Sequence, residues 1–382
     1  MDDRLSATGF LTRFRSARFS LRTLLVVTTL IGVWIAFQSN RARQQQRAAT
    51  TVLNLGGTLR YDYEINSQGN HDRSADVPGP TWLRNWIGKD YFASVIAVDL
   101  DKSQAGDQHL ECLAGLPRLR SLSLRATPIS NEGLKHLRNL SKLEYLHLDG
   151  TRVSDDGLES LQHLHALKVL NLEGTLVAGP GLLHLRECAS LKSLYLRETK
   201  IQDPGMRSLI PLARLEELAL SSTDISDQGA ALLTRLGNLR KLGLGGTNVS
   251  DAIFRTLATM PRLEALEMEH SQISGDEFHQ LAALPHLRSI SLGGKKLDLR
   301  RLSELTKLRN LEQLAVVARR MSDEDLEAFK QMTWLKRLGV GGAKVTAIGV
   351  KDLQTALPNC RVQQMDFQEW EKEWEGRSPQ TP

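Results

Sequence analysis

The chain repeats one pattern at intervals of 24 residues, and nothing else in it restricts the fold as much. Residues 142–165 read KLEYLHLDGTRVSDDGLESLQHLH, with Leu143, Leu146, Leu148, Thr151, Val153, Gly157, Leu158, Leu161 and Leu164 at fixed places. One period downstream, those places hold Leu167, Leu170, Leu172, Thr175, Val177, Gly181, Leu182, Leu185 and Cys188. The first place is filled, without an insertion, by Val95, Leu119, Leu143, Leu167, Leu191, Leu215, Leu239, Leu263, Leu287, Leu311 and Leu335, which makes eleven units. A unit this small cannot bury its own apolar face. Neighbouring units must cover one another, so the period requires a solenoid.

Inside a unit the periodicity changes. Leu146 and Leu148 alternate with Tyr145, His147 and Asp149, the period-two signature of a strand with one buried face. Leu158, Leu161 and Leu164 then step by three, as on a short helix with one apolar stripe. Between them lies Ser154-Asp155-Asp156-Gly157, where Ser or Asp is expected to accept hydrogen bonds from the first free helical amides. Similar pairs recur as Ser226-Asp227, Ser250-Asp251 and Ser322-Asp323. Strands of successive units are expected to pair in parallel about 4.8 Å apart, giving a curved ribbon roughly 50 Å along its inner edge.

The consensus L-x-x-L-x-L-x-x-T-x-I-x-D-x-G-L-x-x-L-x-x-L resembles the leucine-rich repeat family, near its ribonuclease-inhibitor-like and cysteine-containing branches, over residues 95–358. The resemblance implies an α/β, right-handed solenoid with a parallel sheet on the concave face and short helices on the convex face. It also implies that the place of Thr151 carries a polar side chain bonded to the turning backbone. That column runs Ser103, Thr127, Thr151, Thr175, Thr199, Thr223, Thr247 and Ser271, then breaks to Lys295, Arg319 and Ala343. The last three units are therefore expected to be less regular.

The net charge of +5 is concentrated at one end. Residues 1–47 hold eight Arg and two Asp, a net +6, so the remainder sums to −1 and offers no basic face for nucleic acid. Arg4, Arg13, Arg15, Arg18 and Arg22 precede the uncharged run TLLVVTTLIGVWIAFQSN at 23–40, whose length is at the lower edge of what spans a bilayer. An uncleaved anchor and a cleaved signal peptide both fit. The anchor is favoured because no small-x-small pair follows the apolar core, where the sequence is Ile35-Ala36-Phe37-Gln38. Five Arg before the run and three after it (Arg41, Arg43, Arg47) orient the N-terminus to the cytoplasm and the repeats outside it. FSLRTLL at 19–25 resembles the entry to signal anchors of bacterial membrane-tethered proteins.

The expected organisation is a basic cytoplasmic N-terminus (1–22), a transmembrane anchor (23–40), a juxtamembrane segment with N-terminal cap (41–94), the repeats (95–358), and a C-terminal cap with acidic tail (359–382). In the third segment Leu59, Tyr61 and Tyr63 alternate as in a strand, and 66–80 reads as a polar loop. Trp82, Leu83, Trp86 and Ile87 form a helical stripe expected to cover the open end of the first unit. At the far end Pro358 is expected to break the repeat, and Trp370 and Trp374 share a helical face.

The strand residues facing away from the helices form columns of polar side chains. One column reads Asp101, Arg125, Asp149, Glu173, Arg197, and another Asp99, Ser123, His147, Asn171, Tyr195. With Tyr145 beside them, Arg125, His147, Asp149, Asn171, Glu173, Tyr195 and Arg197 make a mixed polar and aromatic patch of the kind protein interfaces use. A ladder of lateral ion pairs accounts for the same residues equally well. Glu267 and Glu269 share a strand face at about 6.7 Å, but on an open ribbon they read as solvated surface rather than a glycosidase pair. His184 and Cys188 are four apart, yet Cys188 fills a buried leucine place and reads as a small hydrophobe. Cys112, Cys188 and Cys360 lie in distant units and are not expected to bridge. No histidine or cysteine spacing calls for a metal, no glycine motif calls for a nucleotide, and no cofactor is expected.

The expected function is therefore non-enzymatic: a monomeric, membrane-held module that presents its concave face to a protein partner, with no small-molecule substrate. An envelope scaffold contacting polysaccharide is the alternative. Repeats of this branch also serve as substrate-receptor arms of ubiquitin ligases, but residues 48–94 do not resemble an F-box.

Overall fold

The computed structural model describes residues 21–64 and 75–366. The basic N-terminus before residue 21, most of the polar loop, and the Trp370/Trp374 segment lie outside the described residues. Thirteen strands form a single sheet in sequence order. β1 (Thr58–Tyr61) runs antiparallel to β2 (Val95–Asp99), and every later pairing is parallel. The parallel strands are β3 (Ser121–Ser123), β4 (Tyr145–His147), β5 (Val169–Asn171), β6 (Ser193–Tyr195), β7 (Glu217–Ala219), β8 (Lys241–Gly243), β9 (Ala265–Met268), β10 (Ser289–Gly293), β11 (Gln313–Val317), β12 (Arg337–Gly341) and β13 (Arg361–Gln364).

Each pairing advances the register by one period, from Ser121 opposite Tyr145 to Arg337 opposite Arg361. The ladder thus runs one strand beyond the eleven units, and Pro358 does not end it. Pro358 falls in the turn between a long terminal helix and β13, where no strand amide is lost, and Cys360 packs into the core at 3% exposure.

Most convex segments are 3-10 helices, such as Asp155–Leu161, Pro180–Glu187 and Asp323–Gln331. The three-residue leucine step accounts for this, because residues i and i+3 eclipse in a 3-10 helix and present one narrow stripe. Leu158, Leu161 and Leu164 are wholly buried. True α geometry occurs at α1 (Leu21–Asn54), α2 (Thr81–Ile87), the short segments α3 (Asn131–Leu134), α4 (Asp227–Ala230) and α5 (Ile253–Leu257), and the terminal α6 (Ala347–Ala356).

The turn leaving each strand is built twice over. Lys102, Ala126, Gly150, Gly174, Glu198, Ser222, Gly246 and His270, one period apart, all have positive φ. The hydroxyl of the next residue then donates to the carbonyl three residues back, as in Thr127 Oγ1 to Leu124 O and Thr223 Oγ1 to Leu220 O, both 2.6 Å. Where the hydroxyl column ends, the left-handed residues end too, and β10, β11 and β12 lengthen to five residues from the three of β3–β8. The last units differ in turn type while keeping register.

Consecutive units are also joined through their acids. Asp203 Oδ1 accepts the backbone N–H of Ser226 at 2.8 Å, and its Oδ2 accepts the Ser226 hydroxyl at 2.6 Å. That serine then caps its own helix by accepting from Gln228 N. Asp107, Asp227, Asp251 and Asp323 hold Ser130, Ser250, Ser274 and Thr346 in the same way. Of the Ser-Asp pair, either of which could cap the helix, Ser226 does so while Asp227 reaches the next unit. Glycine follows from this reach, since a Cβ on Gly229 would lie 2.3 Å from Asp203 Oδ1.

The open end of the first unit is covered by α1, not by the tryptophans. Ala42, Gln45, Ala48, Ala49 and Val52 are buried along one side of the second half of α1. The helix lies so close to the segment Asp107–Gly115 that a Cβ on Gly115 would meet the Gln44 carbonyl at 2.8 Å. The Gln45 amide donates to Asp90 Oδ1 and Ala93 O and accepts from Val95 N, satisfying polar groups that capping buries. Trp82 and Trp86, expected as the lid, are 70% and 80% exposed.

Candidate functional site

The concave face carries two ion clusters, one centred on Arg125 and the other on Arg197, with β5 between them. In the first, the Arg125 guanidinium lies 3.8 Å from Asp101 Oδ2 and 3.4 Å from Asp149 Oδ1, and its Nη2 donates to His147 Nδ1 at 3.1 Å. Ser123 Oγ also donates to Asp101 Oδ1. A cavity of about 250 Å³ opens here, lined by Asp99, Asp101, Ser123, Arg125 and His147, with Thr58 and Arg60 contributed by β1. The strand pattern at Leu59 and Tyr61 pointed to β1 as a strand, but not to its edge as part of this site.

His147 has its pKa lowered by burial and by the Arg125 charge. The neutral imidazole is the form that accepts from Arg125. Since the folded-state pKa lies below the ordinary 6.5, the favourable contribution of this histidine is complete above that value and is lost as pH falls through the folded pKa. The imidazole resonances of His147 should accordingly titrate below pH 6.5, and in an Arg125→Met chain the midpoint should move up.

In the second cluster, Arg197 reaches from the end of β6 across β7 and β8 to Glu267 on β9, with Nη2 2.6 Å from Oε2. The path is open because Ala219 and Gly243 occupy the strands beneath it. Burial, then the nearby Glu217 carboxylate, pushes the Tyr195 phenol up to about 12. Lys241 Nζ sits 3.8 Å from the same Glu217. Tyr145, 40% exposed, stands on β4 two residues before His147, and on β5, between the clusters, Asn171 Oδ1 accepts Glu173 N at 2.9 Å. The structure thus joins Arg125, His147 and Asp149, with Tyr145 on the same strand as His147, sets Tyr195 and Arg197 apart from them, and leaves Asn171 and Glu173 on the unit between.

The remaining candidates are engaged elsewhere. Glu267 pairs with Arg197, and Glu269 accepts from Ser291 Oγ. Cys188 is buried beside the core with its thiol pushed up to about 12 by that burial, while His184 is exposed. All three cysteines are free. Among the described residues, no group of three or more His, Cys, Asp or Glu is placed to hold a metal ion.

A charged column immediately ahead of the strands went unread in the sequence. Arg120, Glu144, Lys168, Lys192, Glu216, Arg240, Glu264, Arg288, Glu312 and Lys336 stand one period apart. Neighbours pair along it, as in Lys168–Glu144 and Lys192–Glu216 at 2.6 Å and Lys336–Glu312 at 2.8 Å. Charge at a fixed period, alternating in sign except at Lys168 and Lys192, was the signal. Pairs this exposed add little stability individually.

The family profile described as "Leucine-rich repeat region" matches residues 126–371, and the chain belongs to the leucine-rich repeat family. The fold is that of a protein–protein interaction module. Similar solved structures include an internalin (inlF) of Listeria monocytogenes, 20% identical over 71% of this chain and 81% of that one, with a TM-score of 0.49. A second internalin of that species, C2, is 24% identical over 52% and 80%, at 0.43. A leucine-rich repeat protein of Leptospira interrogans is 17% identical over 66% and 68%, at 0.44. No curated protein matches the chain.

Proposed function

We propose that this chain is a non-enzymatic recognition module, tethered to a membrane by the first half of α1, whose concave face binds a protein partner. The observation that carries the reading is an exposed tyrosine, Tyr145, on the strand of the Arg125 cluster, with Asn171 on the next strand, flanked by two mixed-charge clusters on one continuous sheet. Interfaces use this arrangement, an aromatic anchor within a polar rim that fixes orientation. The tether is supported by α1, which is long and apolar enough to cross a bilayer and exposes Leu24, Leu30, Trp34 and Phe37. The arginine bias around it favours a cytoplasmic N-terminus with the repeats on the other side.

The test is capture of an identified partner by the full chain and by two variants. Replacing Tyr145, His147, Tyr195 and Arg197 together by alanine should abolish binding. Replacing the exposed convex residues Arg186 and Glu187 by alanine should leave it unchanged. Equal binding by all three chains, or loss only in the convex variant, overturns the reading.

A further inference from the structure

The exposed tryptophans of α2 have no role in capping and none on the concave face. They lie four residues apart, so Trp82 and Trp86 share one side of the helix, while Leu83 and Ile87 turn partly inward. The helix therefore presents its largest aromatic surface to solvent. Such a face is costly in water unless something covers it.

Its position names the cover. The segment following α2 is fastened to α1 at the height where the exposed apolar run ends. Tyr91 Oη bonds Ser39 Oγ, Arg41 Nη2 donates to Ser94 Oγ at 2.8 Å, and Gln45 Nε2 donates to Asp90 Oδ1 at 2.8 Å. Phe37, two residues before Ser39, is still 67% exposed. The approach to α2 is braced as well, since Arg84 donates to Val77 O and to Thr81 Oγ1. The sequence of α2, TWLRNWI, contains no acidic residue to repel lipid phosphates. Indole, with a broad apolar face and one N–H donor, partitions to the boundary between hydrocarbon and headgroups.

We infer that α2 lies in the headgroup layer of the bilayer crossed by α1, with Trp82 and Trp86 inserted as a second attachment. The inference rests on the reading of α1 as a membrane anchor and goes beyond it. A single helix leaves a solenoid free to roll about the helix axis. A second contact, joined to the first through the rigid cap, sets the angle at which the concave face meets its partner.

The experiment uses the full chain in phosphatidylcholine vesicles, with acyl chains brominated either near the headgroup or at mid-chain. Tryptophan emission is compared for wild type, Trp82→Ser/Trp86→Ser and Trp34→Phe. Both α2 positions are exposed, so the double variant keeps the fold. The emission lost in the double variant, which belongs to Trp82 and Trp86, should be strongly quenched by bromine near the headgroup. The emission lost in Trp34→Phe reports α1 independently. Quenching of the Trp34 component alone overturns the inference and leaves the anchor standing. Quenching of neither removes the anchor, and the inference with it.

Discussion

Asp155→Ala should destabilise the solenoid by about 3–5 kcal/mol, while Asp156→Ala, one residue along, should stay within about 0.5 kcal/mol. The two acids differ in what they hold. The Asp155 carboxylate accepts three backbone N–H groups of the next unit, from Ala178 at 2.8 Å, Gly179 at 3.0 Å and Gly181 at 2.7 Å. These are charge-assisted bonds to groups with no helical partner, since Pro180–Glu187 begins there. Without the carboxylate, the amides of Gly179 and Gly181 stay partly buried and unsatisfied. A Cβ on Gly181 would come within 2.4 Å of the Asp155 carbonyl, so the backbones cannot part to admit water without losing the packing beneath them. Asp156 is exposed and points away from the stack. Urea denaturation of both variants measures the difference, and equal midpoints would refute the assigned role of Asp155.

The same pair shows what sequence could and could not convey. Leu146 and Leu148 declare a strand because their partners are set by the pleat, and the 24-residue period places every such strand beside the next. A cap, by contrast, is sought within its own helix, and Ser154-Asp155 satisfies that search. That Asp155 serves amides 23–26 residues away becomes visible only when acids are aligned in columns across units. The concave site divides in the same manner. Arg125, His147 and Asp149 were legible as neighbours in adjacent columns, whereas Arg197 meets Glu267 seventy residues on, through the gap left by small residues on two intervening strands. The tryptophan stripe misled for a physical reason. Hydrophobic periodicity marks a face that water disfavours, but it does not distinguish protein from lipid as the cover. The true cap lay in a stretch that reads as polar, where Gln44, Gln45 and Gln46 obscure the alanines on the buried side of α1.

Ala48→Arg should unseat that cap, at a cost above about 4 kcal/mol, by forcing a long cation into a fully buried contact. Ala48 lies on α1 between Gln45, whose amide bonds the start of β2, and Val52, itself fully buried. No acid among the groups hydrogen-bonded there is free to receive the charge, since Asp90 is already held by Gln45. Because the backbone ladder and core of each unit are completed by its immediate neighbours, the damage should stay at one end rather than unfold the whole stack. Amide hydrogens of β1, β2 and β3 should lose exchange protection, while those of β10, β11 and β12 keep it. Gln46→Arg, on the exposed side of the same helical turn, should leave every strand protected. Uniform loss of protection along the sheet in Ala48→Arg would mean that α1 supports the whole stack, and undiminished protection at β2 would mean that it caps nothing.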